Sequence, residues 1–177
     1  MENSNTQIVE RLRVAYKVEE LTPELIAEIM LMADTYWQEV AGPFHGFPPD
    51  VWWDVYYALQ GKGYLHVLVG RDEEKIAGFA FSVVCPHPHY ACIVAEIPLL
   101  YLHPDYRKGR EGIKLVKELE RISEEAGAQL IFPHGGMHNG VYRLFEFLKY
   151  KDFGRYFIKV LPGGPNGLNP VYKKGVI

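Results

Sequence analysis

Residues 103–115 read His-Pro-Asp-Tyr-Arg-Lys-Gly-Arg-Glu-Gly-Ile-Lys-Leu, and they join two segments of different period. Before them, Ala91 to Leu102 is an almost unbroken apolar run of strand character. After them, Leu115, Val116, Leu119 and Ile122 fall on one face of a helix expected over Arg110 to Ala126, with Gly127 to end it. A strand that becomes a helix through a basic, glycine-bearing turn aims several things at one point. These are backbone N–H groups, the positive end of the helix dipole and the side chains of Arg107, Lys108 and Arg110. The turn reads as a cradle for a phosphate or pyrophosphate.

The rest of the chain can be ordered around that junction. Leu12 to Val18 alternates apolar and polar residues, as a half-buried strand does. Thr22-Pro23 supplies a cap and a proline at the first helical position. Leu25, Ile26, Ile29, Met30 and Ala33 then recur at helical spacing. Gly42 to Pro49 forces a loop, and Val51 to Tyr57 reads as a second helix dense in aromatic rings. Those rings suit core packing; alternatively Phe44, Phe47, Trp52 and Tyr56 wall a pocket. Gly63 to Gly70 and Ile76 to Val84, around the charged turn Arg71 to Lys75, predict an antiparallel hairpin. Ala128 to Pro133 is a short strand beyond the long helix, and strand, helix, strand predicts a parallel crossover. Asn139 is placed to cap a helix from Val141 with Leu144, Phe145 and Leu148 on its apolar face, and a last strand is expected over Phe153 to Val160. The tail from Pro162 is rich in Gly, Pro and Asn and has no period.

Two residues interrupt the strand before the turn. Glu96 is a carboxylate in an apolar run: desolvated, it becomes a base useful near neutral pH; paired with a cation or facing water, it is structural. Pro98 cannot donate to a ladder, so it marks an edge, a bulge or a point where strands splay. A splay there frees the backbone of Leu100, Tyr101 and Leu102 to pair with an extended, amide-containing ligand. Cys85, His87, His89 and Cys92 look like a metal quartet, but two prolines lie among them and the spacing is not a usual zinc pattern, so no metal is expected.

Composition excludes whole classes. With 177 residues and 48% apolar content, one domain has room for a full core, and a net charge of −3 gives no drive toward nucleic acid or anionic membrane. The start is polar and no run of about 18 apolar residues occurs, so neither a leader nor a membrane span is read and the expected location is the cytoplasm. The two cysteines make no disulfide framework.

The order β-α-α-β-β-β-α-β-α-β, with the basic glycine turn after the fourth strand, resembles the GNAT superfamily of acetyl-coenzyme A dependent N-acetyltransferases. The resemblance covers about residues 13–160, with 161–177 as an extended tail of the same single domain. It implies an α/β fold: a mostly antiparallel mixed sheet of six to seven strands, splayed after the fourth and flanked by about four helices. It also implies coenzyme A contacts from Leu100, Tyr101, Leu102, Arg107, Lys108, Gly109, Arg110, Glu111, Gly112, Ile113 and Asn139. Glu96 stands where the family's general base often lies, and the acyl carbonyl is expected to polarise against an N–H near Leu102. The family's acid tyrosine, in a stretch resembling Tyr-Glu-Lys-Leu-Gly-Phe, corresponds to Phe145 in Phe-Glu-Phe-Leu-Lys-Tyr, which leaves Tyr142 as the substitute.

The turn departs from the family's Arg/Gln-x-x-Gly-x-Gly/Ala in two places: Arg110 stands at the first glycine and Glu111 at a customary apolar residue. Arg110 either blocks the approach of a phosphate or, if the turn is redrawn around Gly109, becomes a phosphate ligand; the second is the expectation. The acceptor implied is a small-molecule or protein amine. The basic turn resembles phage-encoded members, which implies host cytoplasm or virion as location. The rival reading is a GNAT-like domain kept as a structural or interaction protein, such as a virion component, associating with itself or a larger assembly through its tail.

Overall fold

The computed structural model describes residues 14–40, 50–134, 140–154 and 159. The expected last strand, the tail, Phe44, Phe47 and Asn139 lie outside the described residues in whole or in main part. Five strands, β1 (Ala15–Glu19), β2 (Leu65–Asp72), β3 (Lys75–Pro86), β4 (Ile93–Leu102) and β5 (Leu130–Pro133), form one sheet in the order β1-β2-β3-β4-β5. The first three pairings are antiparallel and β4–β5 is parallel, so the fold is the expected mixed α/β sheet.

The sheet is covered on both faces, which is why β2 and β3 are buried almost without alternation. Val67, Val69, Phe79, Phe81 and Tyr101 point to one face, under the helices α1 (Pro23–Met30), α2 (Ala33–Val40) and α3 (Trp53–Gly61). Leu68, Ala80, Ala95 and Ile97 point to the other, where Leu115, Leu119 and Ile122 of α4 (Glu111–Glu125) meet them. Ser82 and Ser123, both buried, bridge β3 to α4 with a hydroxyl–hydroxyl bond of 3.0 Å. The last described helix is α5 (Val141–Phe147).

Thr22 caps α1 by accepting from the Leu25 N–H at 3.2 Å, with Pro23 following it. The sequence predicts one helix running on to Ala33; the chain instead breaks at Leu31–Met32, leaving Leu31 86% exposed, and resumes as α2. The apolar stripe nevertheless continues across the break, since Leu25, Ile29, Met32 and Tyr36 all reach the same core. The aromatic helix α3 builds core: Tyr56 meets Phe81 edge-on at 5.1 Å between centroids, and Trp53 packs on the same ring. Trp52 stays 39% exposed. Arg71 at the β2–β3 turn clamps β1 and α1 together, donating to Glu19 at 2.8 and 2.9 Å and to Glu28 at 2.8 and 3.2 Å.

Candidate active site

The site begins with an irregularity in β4. Phe81 pairs with Leu99, but Val83, two residues on, pairs with Glu96, three residues back. This extra residue is a β-bulge around Pro98, and it shifts the alternation so that Glu96 shares the face of Leu99 and Tyr101. Pairing to β5 ends at the same point, with Ile97 opposite Pro133. Beyond Pro98, no described strand pairs with the β5 side of β4. On the β3 side, the His103 N–H donates to Ala77 at 2.8 Å, which fixes the phase of the ladder. Leu102 opposite Gly78 and Leu100 opposite Ala80 are therefore the non-hydrogen-bonded pairs, and their N–H groups face the gap. The close approach of such a pair explains Gly78: a methyl there would lie 2.7 Å from the Tyr101 carbonyl and 2.9 Å from Leu102 Cδ1.

At the end of β4 a short 3-10 turn, Pro104–Tyr106, is pinned by the Tyr106 hydroxyl donating to Asp72 at 3.0 Å. Gly109 takes the left-handed conformation (φ +86°), whereas Arg110 sits at φ −111° and opens α4 without a side-chain cap. The turn is thus drawn around Gly109, and Arg110 carries no backbone strain at the family's glycine position. The first intrahelical bond runs from Lys114 N–H to Arg110, so the N–H groups of Glu111, Gly112 and Ile113 have no helical acceptor. Gly112 lies between Leu102 and Leu144 of α5: a methyl on it would lie 3.5 Å from Leu144 Cδ2, an ordinary contact. The protein itself does not require glycine there. Three N–H groups at a helix start and two along an open strand edge suit an anion joined to an extended amide arm, so the residues fit the coenzyme that the sequence implied.

The side chains arrange themselves unequally. Lys108 and Arg110 are exposed and form no ion pair among the described residues. Glu111, only 12% exposed, turns inward, with Lys114 against Oε1 and the Tyr16 hydroxyl donating to its backbone carbonyl at 3.2 Å. Burial and the adjacent Glu111 push the Tyr16 hydroxyl pKa up. Arg107 points away toward α2: Nε donates to the Leu102 carbonyl at 2.7 Å, Nη2 reaches Glu39 at 2.6 Å, and the guanidinium lies 5.5 Å from the Tyr101 ring centroid.

Of the two readings open for Glu96, the geometry matches the paired, solvent-facing one: its side chain is 39% exposed, with His134 Nε2 at 3.5 Å. The bulge carries the side chain to the partly open face, and Phe132, its partner on β5, lies beside it. His134 was legible only as a member of a polar loop.

On α5, Phe145 at the acid position is buried against Tyr150, with ring centroids 5.2 Å apart. Tyr142 stands about 200° round the helix from Leu144 and so faces away from Gly112; its oxygen accepts from Arg143 Nε at 3.2 Å. The cap of α5 is Gly140, in the left-handed conformation. Lys149 occupies the family's glycine position at φ +68°. His87 stacks on Tyr90 at 4.3 Å, and among the described residues no cluster of His, Cys, Asp or Glu is placed to hold a metal. Among the same residues no helix is long and apolar enough to cross a membrane.

The family model for the acetyltransferase (GNAT) family matches residues 29–147, which include α1 from its last turn, the bulge, the gap and the basic turn. No curated protein matches the chain by sequence. Solved structures do match in fold. A transcriptional regulator from Bacillus halodurans C-125 superposes with a TM-score of 0.66 at 18% identity, over 84% of this chain and 100% of that one. A ribosomal-protein-alanine N-acetyltransferase from Brucella melitensis biovar Abortus 2308 gives 0.62 at 16% identity over the same shares. An aminoglycoside acetyltransferase from an uncultured soil metagenomic sample, in complex with sisomicin, gives 0.60 at 19% over 83% and 97%. The open edge of β4, the uncapped helix start beside it and the family match together make the chain a member of the acetyltransferase (GNAT) family.

Proposed function

We propose that the chain transfers an acetyl group from acetyl-coenzyme A to a primary amine by direct attack, with the coenzyme laid in the gap beside β4. The observation that carries this reading is the convergence of N–H groups with no ladder or helical acceptor among the described residues: Leu100 and Leu102 along the gap, and Glu111, Gly112 and Ile113 at the start of α4. Acetyl-coenzyme A, when bound, supplies the acyl group as an activated thioester. Lys108, Arg110 and the three helix N–H groups hold the pyrophosphate. Leu102 and Leu100 would hold the arm through their gap-facing N–H groups, and Leu100, the nearer of the two to Glu96, would polarise the acyl carbonyl.

As the amine nitrogen bonds to the acyl carbon and the C–S bond breaks, Glu96 takes the amine proton, directly or through a water, and the coenzyme leaves as its thiolate to be protonated from solvent; His134 fixes the orientation of the Glu96 carboxylate. Tyr142 has its own hydroxyl hydrogen unspent, since Arg143 donates to its oxygen, but it faces away from Gly112. We therefore assign it little of the rate: Tyr142→Phe is expected to keep turnover within about threefold, less than the range for a group that transfers the proton in the transition state. Acceptors to screen are a ribosomal-protein alanine and an aminoglycoside such as sisomicin, the molecules named for two proteins of the same fold.

Two measurements test the reading. Calorimetric titration with acetyl-coenzyme A should give saturable binding; no heat and no thermal shift at millimolar ligand removes the coenzyme site. Glu96→Gln should lower kcat by about a hundredfold or more with coenzyme affinity unchanged. An unaltered pH–rate profile in that variant removes Glu96 as the base.

A further inference from the structure

Arg107 sits in the turn that would hold the pyrophosphate, yet its guanidinium is committed elsewhere. Nε is spent on the Leu102 carbonyl and Nη2 on Glu39 of α2, while its face rests over Tyr101. A guanidinium carries its donors in a rigid fork, so these contacts fix both its place and its direction. The helix at the other end of the contact is lightly held. No residue of α2 is fully buried. Among the described residues it meets the end of β4 through the Glu39–Arg107 pair and through Tyr36, whose ring stands edge-on to Tyr101 at 5.9 Å.

We propose that Glu39 sets the affinity for the coenzyme by acting through Arg107, holding the guanidinium toward α2 so that the carboxylate and the incoming pyrophosphate compete for it. Glu39 is a positioning residue: it touches neither reactant. When the anion draws on Arg107, the Glu39–Arg107 pair that ties α2 to the end of β4 is given up. By reciprocity, whatever docks α2 more firmly weakens coenzyme binding by the same factor. The chain thereby couples the helix leading into residues 41–49 to the occupancy of the basic turn.

This inference rests on the coenzyme site proposed above, and the experiment separates the two. Acetyl-coenzyme A is titrated into wild type, Glu39→Gln, Arg107→Gln and the double variant at one ionic strength. Glu39→Gln is expected to tighten binding about two- to fivefold, the scale of a partly exposed ion pair. In the Arg107→Gln background the same change is expected to do nothing, within about 1.5-fold, because the residue through which Glu39 acts is gone. A gain of equal size in both backgrounds means general removal of negative charge and overturns the proposal, as does unchanged or weaker binding in Glu39→Gln. If Arg107→Gln fails to fold, Arg107→Lys serves as the background: one ammonium cannot hold the Leu102 carbonyl and Glu39 along a fork, so the gain should again disappear. Wild type that does not bind at all overturns the coenzyme site and this inference with it, whereas binding that ignores Glu39 overturns this inference alone.

Discussion

Gly78 and Gly112 both border Leu102, one from the paired strand β3 and the other from the start of α4. On the paired side, Gly78 has protein atoms where a side chain would go: the Tyr101 carbonyl at 2.7 Å and Leu102 Cδ1 at 2.9 Å from an added methyl. On the open side, Gly112 has nothing nearer than Leu144 Cδ2 at 3.5 Å. The first glycine is required by the sheet; the second is not required by any neighbour among the described residues. A helix pays for glycine in conformational entropy, so one that no contact demands, at an uncapped helix start beside an open strand edge, points to space kept for a ligand. The end of β4 is therefore two surfaces, one built for stability and one for binding.

Substitutions can break that division. Gly78→Ala should overpack the β3–β4 pair and cost about 1–3 kcal/mol in denaturant unfolding. Gly112→Ala should leave stability unchanged or raise it by up to about 1 kcal/mol, since alanine is the better helix residue, yet weaken acetyl-coenzyme A binding about tenfold in calorimetry. If Gly112→Ala destabilised as much as Gly78→Ala, the two sides would be alike. Lys149, held at φ +68° after α5, offers a smaller contrast: glycine there should gain about 1 kcal/mol by removing left-handed strain, with no change in coenzyme affinity.

The smallest effect concerns acid. Arg71 holds the Glu28 carboxyl below its usual range, chiefly by the hydrogen bond it donates. A depressed carboxyl contributes stability that is fully present above its unfolded value, about 4.3, and is lost as the pH falls through the lower folded value. Arg71→Met should therefore flatten the acid limb of a stability–pH curve while leaving coenzyme affinity untouched. Glu28 is 41% exposed, so solvent screening keeps the effect modest.

Much of this architecture is legible locally. The run from β4 through the basic turn into α4 is written in period and turn chemistry, and Pro98 announced the break in the ladder. What Pro98 could not announce is its direction: the bulge turns Glu96 to the face of Leu99 and Tyr101, where it meets His134 and solvent instead of a dry core. The cationic turn was read as three side chains on one anion. The chain turns Arg107 to Glu39, 68 residues away, and surface charges at that separation leave no pattern in a sequence. Likewise the break at Leu31 hid beneath an apolar stripe that runs on in phase across it.

The central claim is that the gap beside β4 and the start of α4 form one binding surface. Residue-resolved amide exchange with and without acetyl-coenzyme A tests it most directly. Protection is predicted at Leu100, Leu102, Glu111, Gly112 and Ile113 together, with the β2–β3 amides unchanged. Protection at the helix start without the strand edge, or at neither, would contradict it.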